Sequence, residues 1–257
     1  KWLKDPVSQR DWDDAHVIDA VLAIHQDDPS LGYRFLTDEL ADVGIVASEN
    51  RVWRLCSTAG VFASHARKRS KAGKPGPPVH AALPAAPDAT ADAPNQLWLT
   101  DITEHRTSEG KLYLCAVKDC YSNKIVGYSI ASHMKSALAE AALRNAIALR
   151  SPDGTICHSD RGSQFRSKKV MRILKSNGLK GSMGRVASAG DNAAMESFFS
   201  LLQKNVLDTK RWDTREELRL AIVVWIETKY NRRRRQRALG KLTPVEFEMI
   251  YQAADAA

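Results

Sequence analysis

Residues 97–130 read LWLTDITEHRTSEGKLYLCAVKDCYSNKIVGYSI, and the architecture follows from them because they predict three strands in succession. Residues 97–103 alternate in polarity and enter a polar turn at 108–110. After that turn, residues 111–117 and 124–130 again have the composition of strands. Because the connections are short, the three strands are predicted to form a meander.

Helices and strands alternate after this meander. Helical spacing of apolar residues returns at 137–149, a short strand follows at 155–158, and a helix follows at 168–176. A strand near 179–182 and a helix from about 192 to 205 complete the pattern. The predicted order is βββαβαβα, which indicates an α/β fold with a mixed five-stranded sheet flanked by helices.

Three short helices are predicted ahead of this domain, because apolar residues between positions 16 and 62 recur at helical spacing. Ser48 is placed to cap the third helix, and Arg51 and Arg54 make the start of that helix basic. Such a trio is typical of a helix-turn-helix unit whose last helix enters the major groove. The alternative is a small helical bundle that only packs on a neighbour.

Composition divides the chain into four predicted segments. A small all-α, helix-turn-helix-like DNA-binding domain is expected at 1–65, and a linker, basic and then rich in Pro and Ala, at 66–95. The α/β core is expected at 96–210 and a helical, basic C-terminal extension at 211–257. The linker's basic start either follows a phosphate backbone or is only a solvated tether.

Charge and composition restrict the class of protein. Among 257 residues, 38 Lys and Arg outnumber 30 Asp and Glu, and the net charge of +8 favours a polyanionic partner. Four cysteines lack the spacing of a zinc site or disulfide framework, which fits a reducing cytoplasm. Since there is neither a membrane-spanning run nor a signal peptide, a cytoplasmic location without membrane contact is predicted. The chain begins with Lys1, which suggests a fragment, a processed product or a frame fused to something upstream.

Three carboxylates stand where they would suit metal-dependent chemistry. Asp101 lies inside the first predicted strand, Asp160 directly after the fourth, and Glu196 on the helix after the fifth. A charge among the apolar neighbours of Asp101 is costly unless it is compensated, and a divalent cation is a natural compensator. Magnesium prefers hard oxygen ligands, and a pair of such ions roughly 3.5–4 Å apart supports in-line phosphoryl transfer. Each carboxylate taken alone is more often an ordinary surface or capping residue.

The segments around these carboxylates resemble those of a known family. Residues 158–165, HSDRGSQF, and 190–199, GDNAAMESFF, look like signatures of the insertion sequence three family of bacterial transposases. Thirty-five residues separate Asp160 from Glu196, as in the D,D-35-E pattern of that family and of retroviral integrases. Residues 97–103 resemble the family's first-strand motif.

The resemblance covers nearly the whole chain. Residues 14–62 resemble the family's helix-turn-helix-like segment, and residues 231–247 resemble its C-terminal tail. Two departures occur, at Arg166 and in the sequence RAL at 237–239. Neither is expected to hold metal, although both could alter DNA contacts.

This resemblance implies a ribonuclease-H-like, integrase-type catalytic core in which Asp101, Asp160 and Glu196 are catalytic and bind metal. It implies two Mg²⁺ ions per site, with Mn²⁺ as a substitute, and cleavage and strand transfer at the 3′ ends of an insertion sequence. The implied partners are the terminal inverted repeats, target DNA, further copies of the chain on paired ends, and an upstream first-frame fusion or partner domain. The implied location is the bacterial cytoplasm, in association with the nucleoid.

Basic, amide and aromatic side chains supply the candidate DNA contacts. Residues 229–237, KYNRRRRQR, contain no acidic residue and predict a stretch that follows phosphates, with a solvated basic face as the alternative. His158 could position phosphate or only cap a strand end. The full predicted set is Arg51, Arg54, Arg161, Gln164, Asn192, Tyr230, Asn231, Arg232, Arg233, Arg234 and Arg235.

Two other functions remain open at this point. An integrase or nuclease of the same fold would share every carboxylate and would differ only in its products. A DNA-binding regulator of transposition would bind DNA without cutting it, but an intact carboxylate triad argues against a decayed catalytic domain.

Overall fold

The computed structural model of this chain describes residues 7–64, 91–160, 162–183 and 193–255. These residues form two compact units. One unit contains the first three helices and the segment Gln203–Thr209, and the other contains the sheet with the remaining helices. Most of the predicted linker lies outside the described residues.

The three predicted N-terminal helices are confirmed as α1 (Gln9–Asp27), α2 (Tyr33–Asp42) and α3 (Glu49–Thr58). The predicted cap is also confirmed, since the Ser48 hydroxyl accepts a hydrogen bond from the backbone N–H of Arg51. This satisfies one of the N–H groups that a helix start leaves without an intrahelical partner.

The core of this helical unit comes from one face of each helix. The side chains that meet there are almost fully buried: Val17, Val21, Leu36, Leu40, Val52 and Leu55. Val46 and Trp53 belong to the same apolar pattern in the sequence, yet they are 89% and 58% exposed. Three short helices can bury only the stripes that face one another, so these two apolar side chains remain at the surface.

The second unit is built on a mixed five-stranded sheet, as predicted, with strand order β3-β2-β1-β4-β5. The strand β1 pairs antiparallel with β2 and parallel with β4. The pair β2–β3 is also antiparallel, and the pair β4–β5 is also parallel. The strands are β1 (Leu97–Thr107), β2 (Gly110–Asp119), β3 (Ile125–Ala131), β4 (Ile156–Ser159) and β5 (Lys180–Met183).

Helices cover this sheet, and α4 approaches it most closely at Gly127 of β3. A Cβ atom at Gly127 would lie 2.6 Å from the Cβ of Ala146 and 2.7 Å from the carbonyl oxygen of Ala142, so only glycine fits there. The helices are α4 (Ser136–Arg150), α5 (Lys168–Ser176), α6 (Ala193–Leu202), α7 (Arg215–Val224) and α8 (Pro244–Asp255), with π-helical turns at Gln203–Leu207 and Trp225–Tyr230. No helix in the described ranges is long and apolar enough to span a bilayer.

Residues 211–255 belong to the same compact unit as the sheet. Glu248 of α8 is 3% exposed and accepts two hydrogen bonds from Arg150 of α4, at 2.8 and 2.9 Å. Lys124 donates to the same carboxylate at 2.8 Å. Asp119, which is fully buried, accepts from the backbone N–H groups of Asn95 and Tyr121. Asp119 also lies 3.6 Å from Arg150, so this network docks α8 on the sheet and gives Asp119 a structural role.

Candidate active site

Two of the predicted catalytic carboxylates are brought together by neighbouring parallel strands: Asp101 lies on β1, and Asp160 directly follows β4. Thr100 of β1 pairs with Ser159 at the end of β4, so Asp101 and Asp160 each follow one member of the same pair. Neighbouring strands are about 4.8 Å apart. The order of strands in the sheet therefore brings together two acidic residues that are 59 positions apart in the sequence.

Asp101 is half-buried, and its Oδ1 accepts a hydrogen bond of 2.7 Å from the backbone N–H of Ile102. Burial above all, together with the charges of Asp160 and Glu196, raises the pKa of the Asp101 carboxyl from 3.8 to about 7, against the opposing effect of the Ile102 hydrogen bond. The carboxylates of Asp160 and Glu196 are thus close enough to Asp101 to influence its ionisation.

Asp160 is exposed at the start of the loop between β4 and α5. Its Oδ1 accepts a hydrogen bond of 2.9 Å from the backbone N–H of Gly162. A Cβ atom at residue 162 would lie 2.9 Å from that same oxygen and 3.0 Å from Oε1 of Gln164. A side chain at residue 162 would therefore push these oxygens aside, so glycine allows the Asp160 carboxylate to keep its position.

Glu196 lies in the first turn of α6, and its side chain is exposed. A carboxylate near a helix N-terminus is stabilised by the helix dipole. Within the described ranges, no three His, Cys, Asp or Glu side chains are arranged as a metal-binding group. Glu196 is thus near enough for its charge to raise the pKa of Asp101. The three carboxylates do not, however, surround a single point as the ligands of a closed ion site would.

The donor set fits a hard divalent cation. It consists of carboxylate oxygens, which Mg²⁺ and Mn²⁺ prefer, and two of its members are exposed to an incoming ion. The pKa of Asp101 is raised first by its burial and then by the charges of Asp160 and Glu196. A cation bound there would offset both the burial of Asp101 and its repulsion by Asp160 and Glu196.

We expect the free energy of unfolding of the metal-free chain to depend on pH through Asp101. The pKa of Asp101 in the folded state is about 7 and exceeds the reference value of 3.8. Between pH 3.8 and pH 7, the folded state therefore keeps a proton that the unfolded state has released. Below pH 4 the carboxyl is protonated in both states and costs no stability. As the pH rises from 4 through 7, the free energy of unfolding therefore falls. The full difference corresponds to about 4 kcal/mol, which partial exposure reduces to about 2 kcal/mol.

The variant Asp101→Asn removes this titration. In urea unfolding without metal, it should be about 2 kcal/mol more stable than the unsubstituted chain at pH 8 and nearly equal to it at pH 4. Asp153→Asn, at an exposed position, is the matched control and should show no such pH dependence. The same stability difference at both pH values for Asp101→Asn would contradict the expectation.

The other predicted residues near the triad have differing surroundings. The Nε2 of Gln164 donates to the carbonyl oxygen of Met134 at 3.3 Å, which ties the Asp160 loop to the turn before α4. His158 is buried, and its Nδ1 lies 3.1 Å from the Ser182 hydroxyl on β5, which favours the strand-end role. Arg161 and Asn192 lie outside the described residues.

The two basic residues predicted for the third helix converge on one carboxylate. Arg51 donates to Asp14 of α1 at 2.7 Å, and Arg54 donates to it at 2.6 Å. These hydrogen bonds hold the pKa of Asp14 below its usual value. Asp14, which the sequence did not single out, therefore orients both guanidinium groups beside a concave surface that Arg10 and Asn50 also line.

The basic stretch near the C-terminus is only partly available to a ligand. Tyr230 and Asn231 are 1% and 3% exposed, which corrects the prediction that they contact DNA. The Tyr230 hydroxyl donates to the Asn123 carbonyl oxygen at 3.0 Å, and the Asn231 amide hydrogen-bonds the backbone of Ile125. Both side chains thus support the β2–β3 turn and β3.

The four arginines that follow differ in exposure. Arg232 and Arg233 are exposed, whereas Arg234 and Arg235 are partly buried. Burial lowers the pKa of Arg234 to about 10. Arg232 and Arg233 are therefore the members of this stretch best placed to meet a phosphate backbone.

One charged residue beside this site was missed in the sequence. Lys118 is 3% exposed on β2, and its Nζ donates to the carbonyl oxygen of Ala194 in α6. The available signal was a lysine within the apolar run LYLCAVK at 112–118, where a solvated charge is not expected.

Family models match three parts of the chain. Residues 91–189 match an integrase core domain, and residues 177–244 match a second model with the same description. Residues 11–69 match an HTH-like domain. Together these matches span both compact units.

Curated relatives are similar over most of the chain. An uncharacterized 31 kDa protein of insertion element IS600 from Shigella sonnei is 34% identical over 258 residues, covering 97% of this chain and 93% of the relative. The transposase InsF for insertion sequence IS3A from Escherichia coli strain K12 is 38% identical over 216 residues, covering 83% and 75%.

A solved structure shares the fold. A chain in the cryo-EM structure of the simian T-cell lymphotropic virus intasome, in complex with PP2A regulatory subunit B56 gamma, superposes with a TM-score of 0.51. The two chains are 16% identical, and the match covers 89% of this chain and 74% of the other. The integrase-type fold predicted for the core is thereby confirmed.

Proposed function

The chain belongs to the insertion sequence three (IS3) family of transposases, and we propose that it catalyses transposition through Asp101, Asp160 and Glu196. As a family member it is a DNA transposase with an integrase core. The observation that carries the assignment of the residues is the pairing of β1 with β4, which brings Asp101 and Asp160 together. The charges of Asp160 and Glu196 also contribute to the raised pKa of Asp101. Groups with strongly perturbed pKa values that share a charged cluster are typical of functional sites.

The proposed reaction is phosphoryl transfer in two steps at one site. In cleavage, a water oxygen forms a bond to phosphorus at an element end, and the phosphorus bond to the 3′-oxygen breaks, so that this oxygen leaves as a hydroxyl. In joining, that 3′-hydroxyl attacks a target phosphorus and displaces a target 3′-oxygen. Both steps are in-line displacements, which require positioning and charge stabilisation.

The side chains of Asp101, Asp160 and Glu196 would hold Mg²⁺, or Mn²⁺ in its place, two ions per site. When bound, these ions activate the attacking oxygen and stabilise the leaving oxygen. The chain itself orients the carboxylates: Ile102 donates to Asp101, and Gly162 donates to Asp160. Hydrogen bonds of this kind orient the carboxylates that ligate a metal.

We propose the terminal inverted repeats and target DNA as ligands, further copies of the chain on paired ends, and an upstream fusion or partner domain. The proposed DNA contacts include Arg51 and Arg54 on α3. They also include Arg161, Gln164, Asn192 and the arginines at 232–235. We also propose that the chain is divided into segments at 1–65, 66–95, 96–210 and 211–257. Its proposed location is bacterial, in association with the nucleoid.

We expect Arg232→Ala and Arg233→Ala to weaken DNA binding and its dependence on salt. Each exposed guanidinium that neutralises a phosphate releases counterions, so each loss should lower the slope of log K against log salt by about 1. Arg219→Ala is the control because Arg219 is exposed on α7, outside the basic stretch. Fluorescence anisotropy across salt concentrations measures the slope, and an unchanged slope in both variants would remove these residues from the surface.

The proposed activity is tested by strand transfer of a labelled oligonucleotide with a 3′-hydroxyl into plasmid DNA, with Mg²⁺ or Mn²⁺. Joined product that depends on the metal supports the transposase assignment of this site. DNA binding without cutting or joining, even with an upstream domain supplied in trans, would instead favour a regulator.

A further inference from the structure

Lys118 is a buried cation beside the proposed active site. It is 3% exposed near the end of β2, and burial lowers the pKa of its ammonium to about 8. An ammonium is strongly hydrated, so removing it from water is costly unless polar groups of the protein replace that water. Within the described ranges, Lys118 forms no ion pair with a carboxylate.

The ammonium instead contacts the backbone of α6. The Nζ of Lys118 donates to the carbonyl oxygen of Ala194 at 2.9 Å. Ala194 is the second residue of α6, and Glu196 follows two positions later in the same turn. Because an α-helical backbone is regular over one turn, a bond that fixes Ala194 also constrains the position of Glu196.

Lys118 and Asp101 lie on the same face of the sheet. In the β1–β2 register, Asp101 pairs with Ala116 and Leu99 pairs with Lys118. Residues two apart on a strand share a face, so the side chains of Asp101 and Lys118 are diagonal neighbours, about 7–8 Å apart. The lysine is therefore anchored beside Asp101 and extends to the helix that carries Glu196.

We propose that Lys118 is a positioning residue for Glu196, which bridges β2 to the first turn of α6 and thereby holds the Glu196 carboxylate in place relative to Asp101. This inference rests on the proposed function, because it takes Glu196 to be a metal ligand. Burial suits the role, since water does not compete with the Ala194 carbonyl for the ammonium.

The variant Lys118→Met removes the ammonium and keeps an unbranched side chain. We expect its apparent affinity for Mn²⁺ to fall about tenfold or more, as for groups that orient metal ligands. This affinity is read from the Mn²⁺ dependence of the thermal midpoint of the DNA-free chain and, separately, of strand transfer. DNA binding without metal should be unchanged.

Two further variants serve as references. Lys111→Met is the matched control, because Lys111 lies on the same strand and forms an exposed pair with Glu104 at 2.8 Å. It should leave the Mn²⁺ dependence unaltered. Lys118→Arg keeps a cationic donor and should retain more Mn²⁺ affinity than Lys118→Met, which tests the inference even if the methionine variant folds poorly.

A double variant separates positioning from general stability. In the Glu196→Gln background, Lys118→Met should lower Mn²⁺ affinity no further, because the ligand that Lys118 positions is already gone. A lower thermal midpoint with an unaltered Mn²⁺ dependence, or an equal loss of affinity in both backgrounds, would overturn the inference alone. If Glu196→Gln by itself left the Mn²⁺ dependence unchanged, the proposed function would fail and the inference with it.

Discussion

Replacing Glu196 by Gln is expected to reduce metal-dependent strand transfer by at least about a thousandfold, which corresponds to about 4 kcal/mol of transition-state stabilisation. The amide keeps the size of the side chain but removes the negative charge that a hard cation needs in its ligand. Glu196 is exposed, so the folded state should tolerate the change. Joining of the labelled oligonucleotide to plasmid DNA, at saturating Mg²⁺ and then Mn²⁺, measures the effect.

The matched control is Glu216→Gln on α7, at an exposed position where the carboxylate lies 3.5 Å from the guanidinium of Arg219. It makes the same chemical change away from the carboxylate cluster and should retain full activity. Binding of both variants to the same DNA should match that of the unsubstituted chain. Strand transfer by Glu196→Gln at the control's level would remove Glu196 from the proposed active site.

Replacing Arg150 by Met is expected to destabilise the sheet unit by roughly 3–5 kcal/mol, as when one partner of a buried ion pair is removed. Burial raises the pKa of Glu248, but hydrogen bonds from Arg150 and Lys124 outweigh it and hold that pKa below its usual value. The Arg150 guanidinium lies 2.8 Å from the carboxylate of Glu248, which is 3% exposed, and 3.6 Å from that of Asp119, which is 0% exposed. Without Arg150, both buried carboxylates lose this cation. Urea unfolding followed by tryptophan fluorescence measures the loss.

Arg219→Met is the corresponding surface control. Arg219 and Glu216 have side chains that are 55% and 79% exposed, so water screens their attraction and the expected cost is under about 1 kcal/mol. Equal losses for Arg150→Met and Arg219→Met would show that the buried network contributes no more than a surface pair. A large loss confined to Arg150→Met would support the role of the network in docking α8.

Much of the fold could be predicted because its signals are local. The period of two in 97–103 and 111–117, the period of 3.6 in 137–149, and the cap at Ser48 each depend on residues within one turn or strand. The strand order required one further step, since short connections predict antiparallel neighbours and helical crossovers predict parallel ones. These rules suffice for a mixed sheet, but they do not place β4 beside β1, which is the pairing that brings Asp101 and Asp160 together.

Contacts between distant side chains could not be predicted in this way. Tyr230 and Asn231 stand in a run of basic residues that resembles a DNA-binding surface, yet packing turns both toward the backbone near β3. Asp14 lies 37 and 40 positions from Arg51 and Arg54 and nevertheless pairs with both. Pattern periodicity assigns a residue to a face, but it does not identify which polar group on another element meets it.

The sequence by itself determined the elements, the mixed sheet and the candidate carboxylates, because strand alternation, helical spacing and local caps are properties of neighbouring residues. Only the tertiary structure decided that Lys118 of β2 reaches Ala194 of α6, 76 positions away, and that burial together with two neighbouring carboxylates raises the pKa of Asp101. The physical reason is that desolvation and long-range hydrogen bonds depend on which elements pack together, and a single chain's pattern leaves that packing open.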